Sequence, residues 1–146
     1  MNEAETRAEL IDPALKDCGW GEMPDTKVFR EFRITHGKIQ TGGKRSKTLI
    51  ADYLLSYKNV KLAAIEAKSD EQEVGEGVGQ AKEYADKLEL DFAYAANGKR
   101  IYQICIKDGK EGEIDSFPTP DELWNLVFPI VQGAELVEAW LNKFHD

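Results

Sequence analysis

At 146 residues the chain is long enough for one domain whose core needs no disulfide or metal staple. Its 42% hydrophobic and 32% charged residues are ordinary for a globular protein, and a net charge of −8 argues against strong autonomous binding to nucleic acid. Cys18 and Cys105 lie far apart, without metal-ligand spacing, and with no basic-apolar leader or membrane-length apolar run they point to a cytoplasmic protein.

A first helix is expected from about Glu3 to Lys16, where Ala4, Ala8, Ile11 and Leu15 recur near helical period. Asn2 and Glu5 have capping-box spacing, Pro13 bends or divides the helix, and Gly19 stops it. Val28 to Ile34 reads as a strand. A glycine-bearing loop with Lys44, Arg45 and Lys47 follows, a solvated segment that would be able to touch a DNA backbone.

Two short apolar runs come next, Leu49 to Leu55 and Leu62 to Lys68, and they carry Asp52, Glu66 and Lys68. A hairpin turning at Lys58-Asn59-Val60, centred on Asn59, puts Asp52 opposite Glu66. Like charges so opposed repel unless a cation lies between them, and oxygen ligands beside a phosphate are what Mg²⁺ prefers. Lys68 shares the face of Glu66 and would then hold or help deprotonate a water. Taken alone, the short pattern Asp…Glu-x-Lys equally fits a solvated surface hairpin.

Beyond an acidic, glycine-spaced stretch from Ser69 to Gly79, a helix to about Leu88 buries Val74, Val78, Ala81, Ala85 and Leu88. Gln80 and Tyr84 lie side by side off that stripe, as a phosphate or lysine contact or as an ordinary polar face. Phe92 to Ala96 and Ile101 to Ile106 are strands about an Asn97-Gly98 turn. Thr119, Pro120 and Glu122 open a helix, and a last helical segment spans Ala134 to Phe144. The order α-β-β-β-α-β-β-α-α describes an α/β or α+β domain around one mixed sheet.

Asp52, Glu66-Ala67-Lys68 and Gln80-Ala81-Lys82-Glu83-Tyr84, in this order of elements, resemble the PD-(D/E)XK nuclease core with the Gln-x-x-x-Tyr extension of RecB-like nucleases. More narrowly, several segments resemble the N-terminal nuclease domain of type I restriction enzyme R (motor) subunits. They are Glu5-Thr6-Arg7, Leu10-Ile11-Asp12-Pro13, Gly19-Trp20, Arg45 to Tyr53, Phe92 to Gly98 and Phe117 to Trp124. The likeness runs from about residue 3 to 124.

The resemblance implies a Mg²⁺-dependent endonuclease acting on double-stranded DNA, within a complex that includes modification and specificity subunits. Asp52 and Glu66 would bind Mg²⁺, joined by the Ala67 carbonyl, with Lys68 serving the attacking water and Gln80 and Tyr84 supporting catalysis or DNA contact. Ala51 stands where the motif has proline, a departure of conformational consequence at most. Some relatives recruit a first-helix glutamate to the metal, and Glu5 is the candidate here; its spacing from Asn2 favours the cap instead. ATP would serve only motor domains, and no phosphate-binding loop is present: Lys38 and Arg45 break the P-loop pattern around Gly43-Lys44. The chain is therefore expected to be a nuclease domain (1–127) followed by the start of a connector to a motor (128–146), weakly active alone. The alternatives are a free-standing RecB-like nuclease or junction resolvase, and a non-catalytic docking module on the same fold.

Overall fold

The structure is a computed structural model, and it describes residues 1–34 and 48–129. The basic loop with Lys44, Arg45 and Lys47 and the expected helix from Ala134 to Phe144 lie outside the described residues.

The N-terminal helical arm begins with α1 (Glu3–Thr6), capped as the spacing predicts: Asn2 Oδ1 accepts the Glu5 N–H at 2.8 Å, and Glu5 Oε1 accepts the Asn2 N–H at 3.2 Å. A π-helical turn, Arg7–Ile11, joins it to α2 (Asp12–Asp17). Pro13 has no N–H to donate to the preceding turn, and the wider turn carries the chain past that missing bond. Strand β1 (Thr26–Ile34) pairs antiparallel with β2 (Leu49–Tyr57), which pairs antiparallel with β3 (Val60–Ala67). A 3-10 turn (Val74–Gly77) and α3 (Val78–Leu88) cross over to β4 (Phe92–Ala96), which lies parallel to β3. Strands β5 (Ile101–Cys105) and β6 (Glu111–Ile114) complete a six-stranded sheet in sequential order, and α4 (Pro120–Val127) follows.

The mixed sheet expected from the sequence is thus present, with β6 as an unanticipated edge strand. Its sequence, Glu-Gly-Glu-Ile, has none of the β-branched alternation that marks a strand except at its last residue. It is held by pairing to β5 and by Arg100–Glu113 and Lys82–Glu111 ion pairs at 2.9 and 2.7 Å.

Both faces of the sheet are covered. Ile11, Leu15 and Trp20 from the N-terminal arm and Leu123 from α4 pack on Tyr53, Leu55, Ile65 and Tyr94. On the opposite face Ala81, Tyr84 and Ala85 of α3 pack on Leu54, Ala64, Ala93 and Ile104. Being covered on both sides, β2, β3 and β4 read as near-continuous apolar runs instead of alternating ones. A charged side chain inside such a run, as Glu66 is, has little access to water.

Candidate active site

The β2–β3 hairpin sets the geometry of the trio. Its turn is two residues long, Lys58 and Asn59, both in the left-handed region (φ 52° and 64°), as a type I′ hairpin requires. Tyr57 pairs with Val60, so the turn is centred half a residue earlier than symmetry about Asn59 predicts. A β-bulge restores the balance. Ser56 pairs with Lys61 but Leu55 with Ala63, so Leu62 is the extra residue, and both Leu62 and Ala63 are buried in the same core. The ladder then runs to Tyr53↔Ile65, and its continuation puts Asp52 opposite Glu66.

Two features detach Asp52 from the regular ladder. On its β1 side Glu31 takes a left-handed φ of 51°, and pairing skips from Arg30↔Tyr53 to Phe32↔Ala51. On its β3 side the Asp52 carboxylate accepts the Ala67 N–H at 2.7 Å. That bond fixes the acid at the end of β3, where Glu66 and Lys68 lie.

Glu66 falls on the α3 face and is 6% exposed. Lys68 Nζ is 3.8 Å from its Oε1, while Oε2 is buried without a hydrogen-bond partner. Burial pushes the Glu66 carboxyl up to about 7; the Asp52 charge adds to that, and the Tyr84 hydroxyl and Lys68 ammonium pull it back. Tyr84 therefore belongs to the buried face of α3 and reaches Glu66, not the polar face expected from the stripe. Gln80, one turn earlier, is exposed.

The first helix also sends a carboxylate to this place. Glu5 is occupied by the cap, but burial and the Asp52 charge raise the pKa of Glu3, with Arg7 and Lys68 opposing. Glu3 therefore lies beside the cluster, where the sequence reading nominated Glu5. A usable signal was present: the capping-box spacing commits Glu5, which leaves Glu3 as the acid of the first turn with no backbone duty. Gly77 is a second residue missed. A Cβ there would stand 3.2 Å from Glu66 Cγ, 3.3 Å from Ala95 Cβ and 3.5 Å from Lys68 Cγ, so any side chain would press on the acid as the 3-10 turn closes over it.

An unpartnered, buried carboxylate oxygen beside a second carboxylate is a donor set that a hard divalent cation completes. Among the described residues no group of three or more His, Cys, Asp or Glu side chains forms a ready cage. Mg²⁺ does not need one, since one or two carboxylates and substrate phosphates commonly hold it. An open groove of about 830 Å³ lies elsewhere, along β1 and α2 past Asp12, Trp20 and Arg30.

No family model matches the chain. It is 34% identical over 134 residues to the type I restriction enzyme EcoAI endonuclease subunit of Escherichia coli, covering 85% of this chain and 16% of that protein. Its fold matches a fragment of a chain described as an HsdR subunit of a type I restriction enzyme from Vibrio vulnificus YJ016. The TM-score is 0.76 at 39% identity, over 86% of this chain and 25% of that one. The chain thus spans about a sixth and a quarter of the relatives it matches. Across most of its own length, this protein is a homologue of the endonuclease (R) subunits of type I restriction enzymes, with their nuclease-like mixed α/β fold.

Proposed function

We propose that this chain is the DNA-cleaving portion of a type I restriction enzyme R subunit, hydrolysing phosphodiester bonds of double-stranded DNA with Mg²⁺ held by Asp52 and Glu66. The observation that carries this reading is the buried, unpartnered oxygen of Glu66 beside Asp52, with Lys68 Nζ 3.8 Å from the same carboxylate. The Ala67 carbonyl supplies a further oxygen, and Glu3 is placed to join through a water. Mg²⁺, when bound, supplies Lewis-acid polarisation of the phosphoryl oxygen.

The chain's own groups do the rest. Asp52 is oriented by the Ala67 N–H, which donates to its Oδ2. Lys68 is mostly buried (18% exposed), and its ammonium positions the attacking water and balances the negative charge that grows as the phosphorus becomes pentacovalent. The Tyr84 hydroxyl near Glu66 favours the ionised form that binds a cation. Gln80, exposed on the same helix, is available to a DNA backbone. Residues 128–146 would begin a connector to ATP-driven motor domains, and the modification and specificity subunits would join through the longer protein in the cytoplasm. No helix among the described residues is long and apolar enough to cross a membrane.

Titration of the chain with Mg²⁺ or Mn²⁺ by calorimetry tests the centre directly. A single site in the wild type that is lost in Asp52→Asn and in Glu66→Gln is expected. Equal cation binding by folded Asp52→Asn and Glu66→Gln proteins would overturn the assignment.

A further inference from the structure

Arg7 is an ion pair left incomplete. Its side chain leaves the π-helical turn and is 22% exposed, with Nη1 3.6 Å from Asp52 Oδ1 and 3.6 Å from Glu31 Oε1. Both separations lie outside hydrogen-bond range, and Nε is buried with no partner. A guanidinium committed to carboxylates ordinarily closes a fork at about 2.7–2.9 Å. Here the fork is open.

An open groove of about 330 Å³ runs up to this guanidinium between Arg30, Glu31 and Asp52. Arg30 in that groove leans away from the centre, its Nε 3.4 Å from Asp12, which also accepts the Tyr53 hydroxyl at 2.6 Å. Among the described residues of that wall, Arg7 is the cation paired with Asp52, an acid of the proposed centre, whereas Arg30 is paired with Asp12. On a chain of net charge −8, a phosphate arriving at Asp52 and Glu66 needs fixed positive charge within the pocket. Lys68, 3.8 Å from Glu66, serves the attacking water in the proposed reaction, which leaves the backbone phosphate to a second cation.

We propose that Arg7 is a phosphate ligand held in reserve by Asp52. Without a cation the guanidinium neutralises Asp52. When a divalent cation takes Asp52, the fork is released and grips a nonbridging oxygen of the substrate backbone, for which its planar geometry is matched. This role rests on the nuclease reading of Asp52 and Glu66.

Two titrations on the full 146-residue chain have opposite expected signs. Arg7→Gln removes the cation that competes at Asp52, so Mn²⁺ binding followed by calorimetry should tighten, on the order of fivefold. The same variant should bind a short fluorescent duplex in Ca²⁺ at low salt roughly tenfold more weakly, read by anisotropy. A merely structural arginine would weaken both, and that result overturns the proposal, as does unchanged duplex binding. Arg7→Lys keeps the charge and loses the fork, so its duplex affinity should fall while its Mn²⁺ affinity stays near wild type; wild-type duplex affinity in Arg7→Lys would contradict the fork. A wild-type chain that binds Mn²⁺ but gains no duplex affinity in Ca²⁺ would overturn the Arg7 role alone. One that binds neither cation would remove the metal centre and the Arg7 role with it.

Discussion

Glu66 is a buried acid whose proton is held until about pH 7, and that has a measurable sign. The folded protein binds this proton more tightly than the unfolded chain does, so between the ordinary value of 4.5 and about 7 the native state carries more protons. Without divalent cation, stability contributed by the neutral acid is full below 4.5 and is lost as pH rises through 7. Thermal melts from pH 5 to 8 in a chelator should therefore show a falling Tm, and Glu66→Gln, which cannot ionise, should flatten that fall. Added Mg²⁺ should restore the wild type at high pH and leave Glu66→Gln unmoved. The two first-turn glutamates give a second contrast. Glu3→Gln should weaken cation binding with little change in melting, whereas Glu5→Ala should keep cation binding and loosen the helix start by about 0.5–1 kcal/mol. The proximity of Asp52, Glu66 and Lys68 was readable from their positions as charges inside apolar runs. The place of Tyr84 was not, because a helical wheel drawn through Ala81 and Ala85 does not reveal that Tyr84 leans over the sheet to an acid on β3.

At the level of elements, the site depends on two departures from regularity that leave faint traces in sequence. The Leu62 bulge repays the half-residue offset of the Lys58-Asn59 turn and so brings Asp52 opposite Glu66. A hairpin symmetric about Asn59 reaches the same pairing by a different route, so the sequence reading placed the acids well while missing the bulge. Leu62 looks like any other core residue in the run, and nothing in its type marks it as unpaired. The 3-10 turn over the trio is the other departure. Gly77→Ala keeps an allowed backbone, but its new methyl would press on Glu66 Cγ and on the rigid Ala95 Cβ. It should cost about 1–3 kcal/mol of stability and lower cleavage further than that loss explains, while Gly75→Ala and Gly79→Ala, which meet nothing within 4 Å, should be mild. Circular dichroism melts beside single-turnover cleavage separate the two effects. Strand β6 escaped detection for a related reason, since an edge strand can be held by pairing and ion pairs without apolar alternation.

At the scale of the whole molecule, charge and length fit the proposed reading of a cutting part that does not find its own substrate. With a net charge of −8 the chain alone should bind duplex DNA weakly, with affinity falling steeply as salt rises, and cut it slowly. Tight, salt-resistant binding by these 146 residues would contradict that expectation. By the shares covered, the relatives it matches are roughly three to five times its length, in keeping with a reading in which other domains deliver the DNA. The central claim concerns Lys68, whose ammonium lies 3.8 Å from Glu66 and would serve the reacting phosphate. The decisive measurement is DNA cleavage by the assembled restriction enzyme carrying Lys68→Ala in the longer subunit, with ATP hydrolysis followed in the same reaction. The account predicts ATP hydrolysis at the wild-type rate and cleavage reduced by at least about a hundredfold. Cleavage at the wild-type rate by a folded Lys68→Ala enzyme would contradict it.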